Sequence, residues 1–587
     1  MKSKRILTIN NLFSFKVLLI LTLFLFLGSY SLNALEPPTK EQVERYKKDG
    51  TLKERIEKAK SFGNHKMAPH LIKRMKYKLG YKLLRSKGKA DHDISEVMGP
   101  PPAWEGMPTT GDVKVLVVLV AFENLPPLGT RAEIEDKIFG DGEPSAFPYE
   151  SVTNYYARSS YGRLNITGNV LGWYTADYLR SALGTDDEDR ERLVKEILDY
   201  YNRQGHDFSQ YDNDGDGDID YFAVIWTGEP RDWSSFWWGY QTTFGDSGYT
   251  VDGKTLYTYS WQWESNIYPY GFFTPLVLIH ETGHALGLPD LYDYEDSEGP
   301  DGGVGGLDMM DDNHGDHNCF SKFVLDWIDP YIISSGTETV MLGSSGSSGE
   351  ALLVMPGADE NTLFDEFFMV QNRFRENNDT RYPADGLLIW HVDARLDGAG
   401  YDFLYDNSYT DHKLMRLMEA DGFEEIETSN STADAGDFYT GGMEFGPGTT
   451  PDSNKYDGSE SGVFVRNISA PGRQMTFTAG VGIPIGLDLQ AERVEARAWI
   501  IRRYFGDIMI SVGLTGNVSV DRYVLYRKID NGEYRVIREI GAAEMQNSGY
   551  QYRYYDSYLE EDRGYTYRVI AYDILGRALI TSNEVTI

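Results

Sequence analysis

The 587-residue sequence predicts a multidomain chain: an α+β domain over residues 106–335, a β-rich domain over 336–482 and a C-terminal β-sandwich over 483–587. Three observations carry that reading. Length is the first, because single hydrophobic cores stop growing at roughly 250–300 residues. Composition is the second: 60 glycines and 41 tyrosines favour turns and aromatic-rich strands. The third is a change of periodicity. Helical and strand patterns mix up to about residue 335, after which short strands and turn signals dominate.

The N-terminus precedes these domains. Lys2, Lys4, Arg5 and Lys16 flank an almost unbroken apolar run over residues 17–27. That length suits the core of a secretory signal better than a membrane span of about 20 residues. Residues 1–34 therefore read as a signal peptide cleaved after Ala34, which makes the chain secreted; an uncleaved anchor is the alternative. No second apolar run of spanning length follows. Residues 35–105 read as a basic pro-segment. Over residues 35–89, 17 Lys/Arg face 6 Asp/Glu, a net charge of +11, whereas the chain from Ala90 onward carries −49 within a total of −34. A basic leader before an acidic body suggests a removable segment that docks by charge, with a solvated helical spacer as the alternative. The acidic body repels phosphate backbones, which argues against nucleic-acid binding.

Within the leader, residues 41–60 and 71–84 have helical character, and Pro100, Pro101 and Pro102 end it. VKVLVVLVAF from Val113 reads as a buried strand, Ser151 as the cap of a helix through Tyr156, and LNITGNVLGWYTA as a strand. Residues 186–201 form a charged amphipathic helix, and 221–226 a further strand. In the β-rich region GSSGSSG (343–349) reads as a flexible loop, and FFMVQNRF and GLLIWHVD as strands. His391, in the second of these, is expected as a hydrogen-bonded core histidine. After Pro484, YVLYRKIDNGEYRVI forms a hairpin with Asn531-Gly532 at its turn, and YTYRVIAYDILG adds a strand. The single cysteine, Cys319, excludes a disulfide within the chain and is expected to be buried and structural.

The chemistry concentrates in TPLVLIHETGHALGLPD, residues 274–290. Thr274 is a good helix cap and Pro275 a good first helical residue. His280 and His284, four apart, share one helical face and suit a tetrahedral Zn²⁺. Glu281 can sit beside such a metal without binding it, taking a proton from the activated water and returning it to a leaving amine. Gly287 permits a left-handed stop to the helix. The ensuing turn brings Asp290 towards the metal as a third ligand, with Asp293 close enough in sequence to replace it. Three ligands leave one position open, as catalysis requires.

HETGHALGLPD resembles the HExxHxxGxxD form of the metzincin signature. GVGGLDMMDD resembles the methionine turn of that group, with Met310 at the matching position. DFSQYDNDGDGDIDYFAVIWTG, SKFVLDWIDP, GLLIWHVD and LMEADG resemble, more specifically, the immune inhibitor A-like secreted metallopeptidases. The resemblance implies a metzincin-like catalytic domain, a zinc endopeptidase acting on proteins or peptides, and a zymogen. Asp290 replaces the usual third metzincin histidine. Asp312 stands where some metzincins carry a switch tyrosine. The C-terminal sandwich resembles a fibronectin type III-like module. His314 and His317, just past the methionine turn, are expected on a surface loop, with a place in the substrate cleft as the alternative. The leader holds no cysteine, which excludes a cysteine-to-zinc latency switch.

Asp212, Asp214, Asp216, Asp218 and Asp220 alternate through DNDGDGDID. Five carboxylates this close repel unless a cation neutralises them, and positions one, three and five with Gly217 at six match the start of a calcium loop. Ala223 stands at position twelve, so the closure differs from an EF-hand. Structural Ca²⁺ is thus expected beside catalytic Zn²⁺. Two rival functions remain: a non-catalytic adhesin or binding protein on a metzincin scaffold, and a zinc hydrolase of non-peptide bonds. The presence of Glu281 weighs against the first, because a purely structural zinc has no use for it.

Overall fold

The computed structural model describes residues 38–86, 88–294, 303–356, 364–408, 411–428, 432–482, 486–498, 501–513, 520–572 and 578–587; the expected signal peptide lies outside these described residues. No described helix is long and apolar enough to cross a membrane.

The first sheet contains β1 (Gly111–Phe122), β2 (Leu164–Ala176), β3 (Asp218–Trp226), β4 (Tyr240–Thr243) and β5 (Thr255–Trp263), in the order β2-β1-β3-β5-β4. β1 runs parallel to β2 and β3, β3 runs parallel to β5, and β4 is the antiparallel edge. Helices Arg131–Phe139 and Val152–Ser159 link β1 to β2, and Asp187–Arg203 links β2 to β3. Side chains alternate across a strand. Val115, Val117 and Leu119 therefore enter one core, and Leu116, Val118 and Val120 another. A strand covered on both faces is uniformly apolar, which explains VKVLVVLVAF. Ser151 and Asp186 cap their helices, accepting from the Asn154 and Asp189 amides.

Two further sheets follow. β6 (Tyr331–Ile333), β7 (Gly336–Gly343), β8 (Leu352–Val354), β9 (Glu366–Arg373), β10 (Gly386–Asp393), β11 (Met415–Leu417), β12 (Val463–Arg466) and β13 (Gln474–Val481) sort into the orders β11-β10-β9-β8-β6 and β12-β13-β7. Leu387, Phe368, Phe477 and Val465 meet in the core between them. The tract GSSGSSG is not a free loop. Ser344 and Ser345 are buried, and their amides donate to the Arg473 and Asn372 carbonyls. Tyr161 donates to the Ser345 carbonyl across the molecule. His391 is buried with Nε2 3.0 Å from Glu366 Oε2, stacked between Phe368 and Tyr456.

At the C-terminus β14 (Gly486–Ala498), β15 (Ile501–Gly513), β16 (Arg522–Ile529), β17 (Arg535–Gly541), β18 (Gln551–Leu559), β19 (Tyr565–Tyr572) and β20 (Ala578–Thr581) form two sheets, β14-β15-β18 and β17-β16-β19-β20. They share a core that includes Leu489, Ile508, Leu525 and Val569.

The leader folds as helices Lys40–Asp49, Leu52–Phe62 and Pro69–Ser86, with a further helix, Asp91–Met98, that the sequence reading did not include. Gly50, at φ 75°, separates the first two, so residues 41–60 are not continuous helix. Tyr46 and Ile56 enter one core of the first sheet, and Leu71, Met75 and Leu79 the other. Arg45 and Arg55 pair with Asp232, Arg74 and Lys78 with Asp326, and Lys82 with Asp329. Charge complementarity is present, but apolar burial accompanies it.

Candidate metal centre

The helix Leu276–Ala285 is buried from Val277 to Ala285. Pro275, without a side-chain cap bond, holds the cap position, one residue later than expected from Thr274. The helix ends before Gly287, whose φ of 99° lets the chain reverse towards Asp290.

Both histidines are fixed from behind. His280 Nδ1 lies 2.9 Å from the Met309 carbonyl and His284 Nδ1 2.9 Å from the Leu288 carbonyl. A carbonyl only accepts, so each Nδ1 carries the proton and each Nε2 presents its lone pair forward. The two Nε2 atoms face each other at 3.1 Å, and Asp290 Oδ1 lies 3.0 Å from one and 3.2 Å from the other. Ligand atoms of a tetrahedral zinc, with bonds of about 2.0–2.1 Å, stand about 3.3 Å apart. The triangle fits such an ion. Without one, Asp290 Oδ1 favours a proton at the Nε2 position that the metal would take, in a space closed to water. Burial opposes the charge on His284, but Asp290 outweighs it and pushes that imidazole up to about 9. Burial likewise opposes the charge on Asp290, and the two imidazoles hold its carboxyl well below the usual range. Asp293 is also buried but stands outside the triangle.

Glu281 is completely buried, and neither of its oxygens meets hydrogen-bond geometry with a protein group. Burial pushes its carboxyl up to about 8; His284 pulls it down, Asp290 pushes it up, and the Gln241 amide of β4 draws it down slightly. An orphaned carboxylate beside a ligand triangle is suited to water or substrate rather than to the fold.

The segment around Met310, expected as a methionine turn, packs against the helix. A Cβ on Gly283 would fall 2.3 Å from Met310 Sδ, so Gly283 is what lets Met310 approach between the histidines. Asp308 accepts from the Met310 amide at 2.7 Å and from the Asn318 amide at 2.6 Å, and Met310 in turn accepts from the Leu291 amide. His317 is not on a surface loop: it is buried beside Tyr155, Tyr156 and Trp327, while His314 is half-buried. Sequence reasoning missed Tyr294, whose hydroxyl donates to Asp290 Oδ2 at 2.6 Å. Its signal was the position four residues past Asp290. Cys319 is buried as expected, and burial pushes its thiol up to about 12.

The leader crosses this site. The Asp290 amide donates to the Asn64 carbonyl at 2.7 Å, and the Ala68 amide donates to the Gly287 carbonyl at 2.9 Å. His65 lies against Tyr294 with its Nδ1 unpartnered. A groove of about 810 Å³ between the leader helix and the body, lined by Arg74, Tyr77, Asp326, Tyr331 and Met355, includes no residue of the triangle.

In the acidic loop, carboxylates of Asp212, Asp214, Asp216 and Asp220 come within 4.8 Å of one another. Asp218 is not in this group; its carboxylate accepts from Thr255. Lys254 bonds to Asp212, and Asp220 Oδ1 is buried without a partner. Burial, opposed by bonds from Asn213, pushes Asp220 up to about 7.

Residues 109–313 match the family model for the immune inhibitor A peptidase M6 catalytic domain. Immune inhibitor A of Bacillus thuringiensis subsp. alesti is 29% identical over 235 residues, covering 31% of this chain and 34% of that relative. The match thus spans about a third of the curated relative's length. Among solved structures, one described as a myokine covers 18% of this chain and 95% of its own at 17% identity, with a TM-score of 0.13. A β-1,2-glucanase from Parabacteroides distasonis covers 20% of this chain and 16% of its own at 18% identity, with a TM-score of 0.12. Neither bears on the site.

Proposed function

We propose that this immune inhibitor A-like metallopeptidase is a secreted zinc endopeptidase of metzincin type, held latent by residues 35–105. The observation that carries the reading is the convergence of His280 Nε2, His284 Nε2 and Asp290 Oδ1 within 3.0–3.2 Å beside an unpartnered Glu281. These three residues would hold Zn²⁺, which when bound supplies a polarised carbonyl and a water of lowered pKa. Glu281 takes the proton from the attacking water and delivers it to the leaving amine. Tyr294 and the Met309 and Leu288 carbonyls keep the ligands in register. A peptide substrate is favoured because β4 ends the sheet beside Glu281, and an edge strand can pair with an extended chain. The domain plan is a signal over 1–34, a pro-segment over 35–105, a catalytic domain over 106–335, a β-rich companion over 336–482 and a fibronectin type III-like module over 483–587. Asp212, Asp214, Asp216 and Asp220 are the candidate calcium ligands, supported by the orphaned Asp220 oxygen.

The test is casein hydrolysis by the full chain before and after proteolysis of its leader, alongside Glu281→Ala and chelator-treated samples, with zinc assayed on each. Cleavage after leader removal, lost on chelation and lost in a Glu281→Ala protein that keeps its zinc, is the expected result. A folded, zinc-loaded chain that cleaves neither casein nor a broad peptide library would instead favour the binding-protein reading.

A further inference from the structure

Away from the peptidase sheet, β11 leads into Glu419 and Asp421, and a loop returns to Asp437. Carboxylate oxygens of Glu419, Asp421 and Asp437 lie within 4.8 Å of one another, and Asp421, Glu425 and Asp434 form an overlapping trio. Glu419 is 1% exposed and Asp437 0%. Each spends one oxygen on the fold: Glu419 Oε2 accepts from the Glu425 amide at 2.8 Å and Asp437 Oδ2 from the Asp434 amide at 2.7 Å. The other oxygen of each, Glu419 Oε1 and Asp437 Oδ1, is buried with no partner, as is Glu425 Oε2. The basic side chains alongside, Arg416 and Lys413, pair with Glu424 and Glu427. After burial itself, the groups acting against an ionised Glu419 are its neighbours Asp437, Glu427 and Glu425. A Cβ on Gly436 would fall 2.5 Å from Asp421 Oδ2, so glycine keeps that oxygen clear.

Isolated buried carboxylates cannot remain charged and unpaired. We propose that Glu419, Asp421 and Asp437, with Glu425 and Asp434 at the margin, form a divalent-cation site that binds Ca²⁺. The donors are all hard oxygens from several chain positions, which suits the large, irregular shell of calcium better than the strict octahedron of magnesium or the nitrogen and sulfur preference of zinc. The ion would join the end of β11 to the 434–437 turn. The chain between them braces the methionine turn: the Ala433 amide donates to the Gly305 carbonyl and Ile426 fills the space that a Gly305 side chain would need, while Lys413, just before β11, donates to the Gly303 carbonyl. Gly306 and Val304 then bond to Asp311, next to Met310.

The test is calorimetric Ca²⁺ titration of the metal-stripped full chain in an Asp212→Asn/Asp216→Asn background, which silences the other acidic loop. One bound Ca²⁺ per chain is expected there, and adding Glu419→Gln and Asp437→Asn is expected to remove it. No binding in the background, or binding that survives the added substitutions, overturns the proposal. A check without variants guards against misfolding. Crystals of the parent grown with Ca²⁺ are expected to give an anomalous peak between Glu419, Asp421 and Asp437, and a blank there overturns it too. Neither measurement depends on peptidase activity.

Discussion

Glu281 and Tyr294 both adjoin the triangle of His280, His284 and Asp290 and do different work. Neither Glu281 oxygen has a partner at full hydrogen-bond geometry, and a glutamine can still accept from the Gln241 amide, so Glu281→Gln is expected to leave fold and zinc content intact while lowering kcat by about 10²–10⁴-fold, the usual contribution of a positioned acid–base group. Retained activity in a zinc-loaded variant would remove it from the mechanism. Tyr294 acts through Asp290. Tyr294→Phe leaves Asp290 Oδ2 without its hydroxyl donor and is expected to weaken zinc binding by about 10–100-fold, read by chelator competition, with a smaller effect on turnover at saturating zinc. The histidines and Glu281 were legible because their spacing on a helix already fixes their geometry. Tyr294 was not, because a loop tyrosine reveals its partner only once the chain has turned back. Asp218 shows the reverse: alternation puts it in line with the other aspartates, yet β3 begins there and turns its carboxylate to Thr255.

Elements succeed or fail in the sequence according to where their partners lie. β1 and β2 were readable because an apolar run or an alternating run is a local signal, and Gly283 looked merely like a helix glycine until Met310 was placed against it. Gly283→Ala is expected to push Met310 off its seat and lower stability by about 1–3 kcal/mol, the usual effect of overpacking, together with zinc content, as thermal unfolding and metal analysis would register. The tract GSSGSSG failed as a flexible loop because the groups that pin it, Asn372 and Arg473, are remote in sequence. His317 failed likewise, since what encloses it comes from Tyr155, Tyr156 and Trp327. Next to it, Asp316 bolts the region of the first sheet to the β-rich one, accepting from Ser159, Lys322 and Asn378. Burial would raise its carboxyl, but Lys322 and Arg373 hold it at about 2. A folded pKa below the unfolded value of about 3.9 means that this stabilisation is present above about pH 4 and is lost as pH falls through 2. Asp316→Asn is therefore expected to cost about 3–5 kcal/mol at neutral pH, by leaving the Lys322 ammonium buried and unpaired, and to flatten the loss of stability between pH 4 and 2. Melting curves that match the parent across that range would contradict it.

On the scale of the whole molecule, the leader raises a question of magnitudes. Its lysines and arginines make a docking by charge legible in the sequence, and the ion pairs to Asp232, Asp326 and Asp329 exist. Such partly exposed pairs contribute about 0.2–1 kcal/mol each and weaken with salt. Tyr46, Ile56, Leu71, Ile72, Met75 and Leu79 are nearly or wholly removed from water, at about 1.5–3 kcal/mol each. Burial therefore outweighs charge, a balance that a count of lysines cannot reveal because it depends on which apolar positions find the body. Lys89 is exposed and lies past the helix Pro69–Ser86, so a trypsin cut there spares these contacts. The cut leader is expected to stay bound in 1 M NaCl, with Asn64 still bonded to Asp290 and the triangle still covered. Peptidase activity is expected to appear only when the fragment is displaced by mild urea or digested further, and size-exclusion chromatography with a casein assay on each fraction separates the two events. Release by salt alone would mean that charge holds the leader after all, and full activity with the fragment still bound would mean that the segment over Asp290 does not close the site.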